Sequence, residues 1–150
     1  MDGRPLFAGF DHVAWASRDT DATVGLLQAL GFEVRVYKQP LDKFNVYVTK
    51  LMAASGHVAE VIEPRGPGSV VSRLLEHQEA AVYHVCFRTR DFRAAQAALQ
   101  QAGAVTVTRP MRIPYPVTDE HATFWDSHVF HPGLGLFEIA GGEPAAEPAG

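Results

Sequence analysis

The chain has 150 residues, 47% of them apolar and 20% charged, with a formal net charge of −4. That is enough for one compact domain, gives no basic footprint for nucleic acid, and contains no apolar run of the about 20 residues a membrane span needs. The start, MDGRPLFAGF, lacks the apolar core of a secretion signal, so a cytoplasmic protein is expected; the single cysteine, Cys86, excludes an intrachain disulfide and a thiolate zinc cluster.

Elements follow in chain order. A β-branched and aromatic run predicts a strand over Phe10–Ala16, and Asp19 stands where a helix cap belongs. The helix after it offers Ala22, Leu26, Leu27 and Leu30 as an apolar face, and Gly31 supplies the left-handed residue that commonly ends a helix. Three strands are expected next, around Glu33–Tyr37, Asn45–Met52 and His57–Ile62, the last two joined by the hairpin loop Ala53-Ala54-Ser55-Gly56. The stretch GPGSVVSRLLEHQ reads as a linker with a short helix capped by Ser69. A strand over Val82–Arg88 follows, then a helix capped by Asp91 with Phe92, Ala95, Leu99 and Ala102 inward, closed by Gly103. Strands near Ala104–Thr108, Thr123–Phe130 and Leu136–Ala140 complete the pattern.

These two halves repeat. HVAWASRDTDATVGLLQALG, from His12 to Gly31, matches HVCFRTRDFRAAQAALQQAG, from His84 to Gly103, without a gap. The expected class is α+β: two tandem βαβββ modules forming a curved sheet around a metal-binding cleft. Residues 1–142 form one domain, with module one over 9–64, a linker helix within 65–80 and module two over 81–142. The Pro-rich residues 143–150 are expected to be disordered.

Each half contributes one histidine and one closing-strand acid: His12 with Glu60 in HVAEVIEP, and His84 with Glu138 in GLFEIAGG. Strand alternation gives each of them small or apolar neighbours on its own face. A lone histidine in that setting is usually a satisfied core residue, whereas a buried carboxylate is costly unless compensated. Two imidazoles and two carboxylates at duplicated positions satisfy one another through a divalent cation. The nitrogen and oxygen set suits Co, Ni, Mn, Zn or Fe.

The DHV strand, capped helix and glycine of the opening, the paired YHV strand and the closing FEI strand resemble the vicinal oxygen chelate superfamily. That superfamily holds glyoxalases, epimerases, extradiol dioxygenases and bleomycin resistance proteins. The chain is most similar to its methylmalonyl-CoA epimerase-like members through EVIEPRGPGSVVSRLLEHQEAAVYHVCFRTRDF, residues 60–92, and VFHPGLGLFEI. The resemblance puts His12, Glu60, His84 and Glu138 at the metal-ligand positions. It implies an epimerase, isomerase or lyase acting through a metal-stabilised enolate on a small-molecule substrate, with no nucleic acid or membrane partner and a homodimeric assembly. Glu138 is then the first candidate for acid–base work. The second catalytic carboxylate of the epimerases has no glutamate equivalent here; Asp42 in QPLDKFNV is a candidate, or a solvated loop aspartate. The segment RIPYPVTDEHATFWDSHVF stands where the epimerases have a short glycine-rich loop, and it carries Tyr115, Asp119, Glu120, His121, Trp125 and His128. It is either a substrate-shaping insertion or a packed surface loop. Phe44, Tyr47 and Met52 are pocket or core candidates.

Two other functions stay open. One is an Fe(II) dioxygenase on an aromatic or polyketide-like substrate, with His12, His84 and Glu138 as a facial triad and Glu60 outside it. The other is a metal-free drug-binding resistance protein, whose kind usually lacks the histidine and glutamate ligands that this chain keeps.

Overall fold

The computed structural model describes residues 5–114 and 123–141, in which nine strands and two α-helices form an α+β fold with a mixed sheet. β1 (Phe7–Ser17) leads into α1 (Thr20–Ala29), β2 (Phe32–Leu41), β3 (Val46–Ala53) and β4 (Val58–Pro64). β5 (Ala80–Thr89) leads into α2 (Phe92–Gln101), β6 (Val105–Thr106), β7 (Met111–Pro114), β8 (Thr123–His131) and β9 (Gly135–Gly141). The chain divides into two compact units, residues 12–84 and residues 1–11 with 85–150, so the division falls inside β1 and β5.

In the unit of residues 12–84 the strand order is β2-β3-β4-β1, with β1 parallel to β4 and the other pairs antiparallel. The repeated caps form as the sequence predicts. Asp19 Oδ1 accepts the Ala22 N–H at 3.1 Å, and Gly31, at φ +97°, donates its N–H to the Gln28 carbonyl at 3.0 Å. Of the expected face of α1 only Leu27 is buried, and Ala22 is exposed. Thr20, Val24 and Leu27 are buried, Val24 and Leu27 packing on Leu51, Ala59 and Val61, whereas Leu26 and Leu30 are 70% and 75% exposed. At 3.6 residues per turn the 22/26/30 stripe lies opposite the 20/24/27 stripe, and both look apolar in sequence. Packing on Leu51 and Val61 decides which one meets the sheet.

The predicted linker helix is replaced by turns. Ser72 N–H donates to Ser69 O at 3.1 Å, Leu75 N–H to Val71 O at 3.2 Å and Glu76 N–H to Arg73 O at 3.4 Å. Spacings of three and four residues alternate, so no helical ladder propagates. Val71 and Leu75 are buried all the same.

In the other unit the order is β5-β9-β8-β6, with β7 also paired to β8 and β5 parallel to β9. Asp91 Oδ1 accepts the Ala94 N–H at 3.0 Å, and Gly103 closes α2 at φ +91°. Phe92 and Ala95 face a core of Ala104, Val129, Phe137 and Ile139, with Phe87, Leu99 and Trp125 at its margin. Ala102, expected inward, is the exposed C-cap. β7 was not expected, and the strand expected over 104–108 shortens to Val105–Thr106. The N–H groups of Val107 and Thr108 both donate to the His128 carbonyl, at 2.8 and 3.2 Å, a bulge that ends regular pairing. Tyr115, Asp119, Glu120, His121 and the tail over 143–150 lie outside the described residues. Among the described residues, no helix is long and apolar enough to cross a membrane.

Candidate metal centre

Within the unit of residues 12–84, β1 and β4 run parallel with Ala14 opposite Glu60. That register brings the His12 and Glu60 side chains onto one face. His12 Nε2 lies 3.1 Å from Glu60 Oε2 and 3.3 Å from His84 Nε2, and the two imidazole rings meet edge to face with centroids 5.4 Å apart. All three residues are buried, at 4%, 8% and 4% exposure for His12, Glu60 and His84. Their neighbours on the same faces include Ala14 and Cys86, both fully buried.

This arrangement is informative by itself. Two ring nitrogens at 3.3 Å can share one proton at most, and a carboxylate oxygen stands beside them. Donor atoms bound at about 2.0–2.2 Å to a single cation stand about 3.0–3.5 Å from one another in tetrahedral or octahedral geometry. The observed 3.1 and 3.3 Å separations fall in that range. The residues present therefore fit a divalent ion with nitrogen and oxygen ligands.

Lys50 is a residue the sequence reading missed. It pairs with Glu60 across β3 and β4, shares that face with Val48 and Met52, and is 7% exposed. The signal was present in VYVTKLM, where a lysine occupies a position whose same-face neighbours are apolar. Of the other pocket candidates on this strand, Met52 shares the Glu60 face, whereas Tyr47 alternates to the opposite side, where the Arg65 guanidinium lies 5.3 Å from its ring. Phe44 ends a short 3₁₀ turn that Asp42 begins. The Asp42 side chain is 89% exposed and forms an ion pair with Arg65. That carboxylate raises the Arg65 pKa above its usual value by accepting its hydrogen bond.

In the other unit Glu138 lies on β9, 5% exposed, directly opposite His128 of β8. His128 Nε2 stands 3.6 Å from Glu138 Oε2. Asp126, 4% exposed, shares the His128 face two residues earlier. Trp125 alternates to the other face and packs on Phe92, with ring centroids 6.3 Å apart. Trp125 and His128, both in the strand expected over Thr123–Phe130, thus lie on opposite faces of β8.

The chain matches the sequence profile of the Glyoxalase/Bleomycin resistance protein/Dioxygenase superfamily over residues 9–124. No curated protein sequence matches it. Among solved structures it is similar to methylmalonyl-CoA epimerase from Mycobacterium tuberculosis, with a TM-score of 0.77 at 22% identity over 96% of this chain and 94% of that one. A variant of Streptomyces coelicolor methylmalonyl-CoA epimerase in complex with 2-nitronate-propionyl-CoA aligns at 25% identity, TM-score 0.73, over 93% and 99% of the two chains. A methylmalonyl-CoA epimerase in complex with methylmalonyl-CoA and ammonium aligns at 24% identity, TM-score 0.73, over 95% and 99%. With more than half of its length inside the family profile and its fold shared with these enzymes, the chain belongs to the glyoxalase/bleomycin resistance protein/dioxygenase superfamily.

Proposed function

We propose that this protein is a metal-dependent epimerase, isomerase or lyase that moves a proton next to a carbonyl group, built from two tandem modules as the repeated sequence implies. The observation that carries the reading is the convergence of His12, Glu60 and His84 at ligand–ligand distances. The duplication supplies Glu138 as a fourth ligand. A divalent cation held there supplies a Lewis acid for charge that develops on an enolate oxygen.

The chain's own part is proton transfer. The Glu138 carboxylate takes the proton from the carbon beside the carbonyl, and the bonding pair shifts toward the carbonyl oxygen. A second acid on the other side of the substrate returns a proton to the opposite face of that carbon, as the bonding pair moves back from the oxygen, and gives the epimer. Glu138 is favoured over Asp42, because its burial keeps water from competing and the Asp42 carboxylate is exposed and occupied by Arg65. A thioester of coenzyme A is the proposed substrate class, supported by the CoA compounds bound to the similar epimerases.

The test is elemental analysis of purified protein beside His84→Ala, followed by proton exchange in D2O. One divalent ion per chain, absent from the mutant, and deuterium entering C2 of a methylmalonyl thioester are the expected results. A wild type that refuses metal on titration overturns the reading and leaves a binding protein.

A second reading, an Fe(II) oxygenase, draws on the same pair of histidines. Two imidazoles and one carboxylate are the donor set of Fe(II) oxygenases; the imidazoles are the His12 and His84 rings, their Nε2 atoms 3.3 Å apart, with Glu138 as the carboxylate and Glu60 outside the triad. Oxygen uptake with iron alone would establish it.

A further inference from the structure

Beside the bulge between β6 and β8, a histidine faces Glu138. Thr108 and His128 are tied together twice through the backbone: the Thr108 N–H donates to the His128 carbonyl at 3.2 Å, and the His128 N–H donates to Thr108 Oγ1 at 2.7 Å. Ser127 Oγ adds a third tie by donating to the Thr108 carbonyl at 2.7 Å. Thr108 Oγ1 also stands 3.3 Å from His128 Nδ1. That oxygen accepts the His128 main-chain N–H, and with its own proton it can donate to Nδ1. In that arrangement the imidazole carries its hydrogen on Nε2, the nitrogen nearest Glu138 Oε2, at 3.6 Å a polar contact longer than a hydrogen bond. The opposite tautomer would turn a nitrogen lone pair toward a carboxylate oxygen on a face that is 5% exposed at both residues.

We infer that His128, locked as the Nε2–H tautomer by Thr108, is a positioning residue that orients the Glu138 carboxylate. Carboxylates that bind metal are commonly oriented by a polar partner outside the ligand set, and loss of such a partner typically costs about 10–100-fold in metal affinity or activity. The bulge gives this partner a fixed approach, since bulges re-aim side chains beside functional sites. The first half of the inference, the tautomer, stands on geometry alone; the second half rests on the proposed role of Glu138.

The experiment therefore has two readouts. Long-range ¹⁵N–¹H spectra of the metal-free protein report the His128 tautomer directly. A dominant Nε2–H form in wild type and Thr108→Ser, lost in Thr108→Val, is expected; an Nδ1–H form in wild type overturns the inference. Titration with Mn²⁺ alone then compares wild type, Thr108→Ser, Thr108→Val, His128→Phe and Glu138→Gln. Affinity about 10–100-fold weaker in Thr108→Val and His128→Phe, restored in Thr108→Ser, supports the positioning role. If Glu138→Gln weakens Mn²⁺ and the Thr108 and His128 variants do not, the positioning role is overturned. If Glu138→Gln itself leaves affinity unchanged, it is the ligand assignment of Glu138 that fails, and the tautomer result is unaffected.

Discussion

His12 and His84 occupy corresponding positions of a repeated sequence, and their Nε2 atoms lie 3.3 Å apart with the Glu60 carboxylate 3.1 Å from the first of them. Close packing of three polar groups in an apolar setting is unfavourable unless protons or a cation sit among them. Addition of the bound metal should therefore raise stability. At a free concentration 100-fold above Kd the expected gain is about 2.7 kcal/mol in wild type and none in His84→Ala, read from denaturant midpoints with and without a chelator.

Glu138→Gln removes the proposed proton acceptor while keeping its shape. The expected loss is about 10²–10⁴-fold in kcat. Stopped-flow or NMR assays on metal-loaded protein would decide the matter. Full turnover with metal still bound would reject the assignment.

The two helices should fail alike when uncapped. Asp19 and Asp91 each accept one N–H of the first turn, at 3.1 and 3.0 Å. Asp19→Ala and Asp91→Ala are each expected to lower stability by about 1 kcal/mol in urea melts, and by about the sum when combined, because the caps share no partner.

The buried stripe of α1 makes a sharper contrast. Leu51, on the strand beneath it, is fully buried against Val24 and Leu27, so Leu51→Ala is expected to cost about 2–5 kcal/mol. Leu26→Ala, at a position 70% exposed, should stay within about 0.5 kcal/mol. Equal losses from the two changes would refute the packing described for this helix.

Tyr37 provides a pH test. Its hydroxyl donates to Asp21 Oδ1 at 2.6 Å, and that bond raises its pKa above the ordinary 10.0. The bonded form is the protonated phenol, so its contribution to stability is present below pH 10 and is lost as pH rises through the elevated folded pKa. NMR titration of the Tyr37 ring should show ionisation later than in an unfolded peptide. Asp21→Asn, which removes both the acceptor charge and its repulsion of the phenolate, should move it back down.

Much of this was legible in the sequence because the signals are local. The caps at Asp19 and Asp91, the glycines at 31 and 103 and the hairpin closing at Gly56 each depend on residues within one turn of themselves. The duplication from His12 to Gly31 and from His84 to Gly103 named the two candidate histidines, and the closing strands HVAEVIEP and GLFEIAGG named Glu60 and Glu138. What the sequence could not decide were choices between equivalent patterns. Both stripes of α1 are apolar, and only packing on Leu51 and Val61 selects Val24 and Leu27 over Leu26 and Leu30. Lys50 became part of the Glu60 face only through the β3–β4 register, because pairing partners far apart in sequence fix which side a strand residue takes. His128 was separated from Trp125 by the same rule, and it meets Glu138 because β8 and β9 pair at that register. Composition, spacing and the repeat thus named the candidate residues. Long-range strand register, which no local pattern encodes, decided which of them face one another.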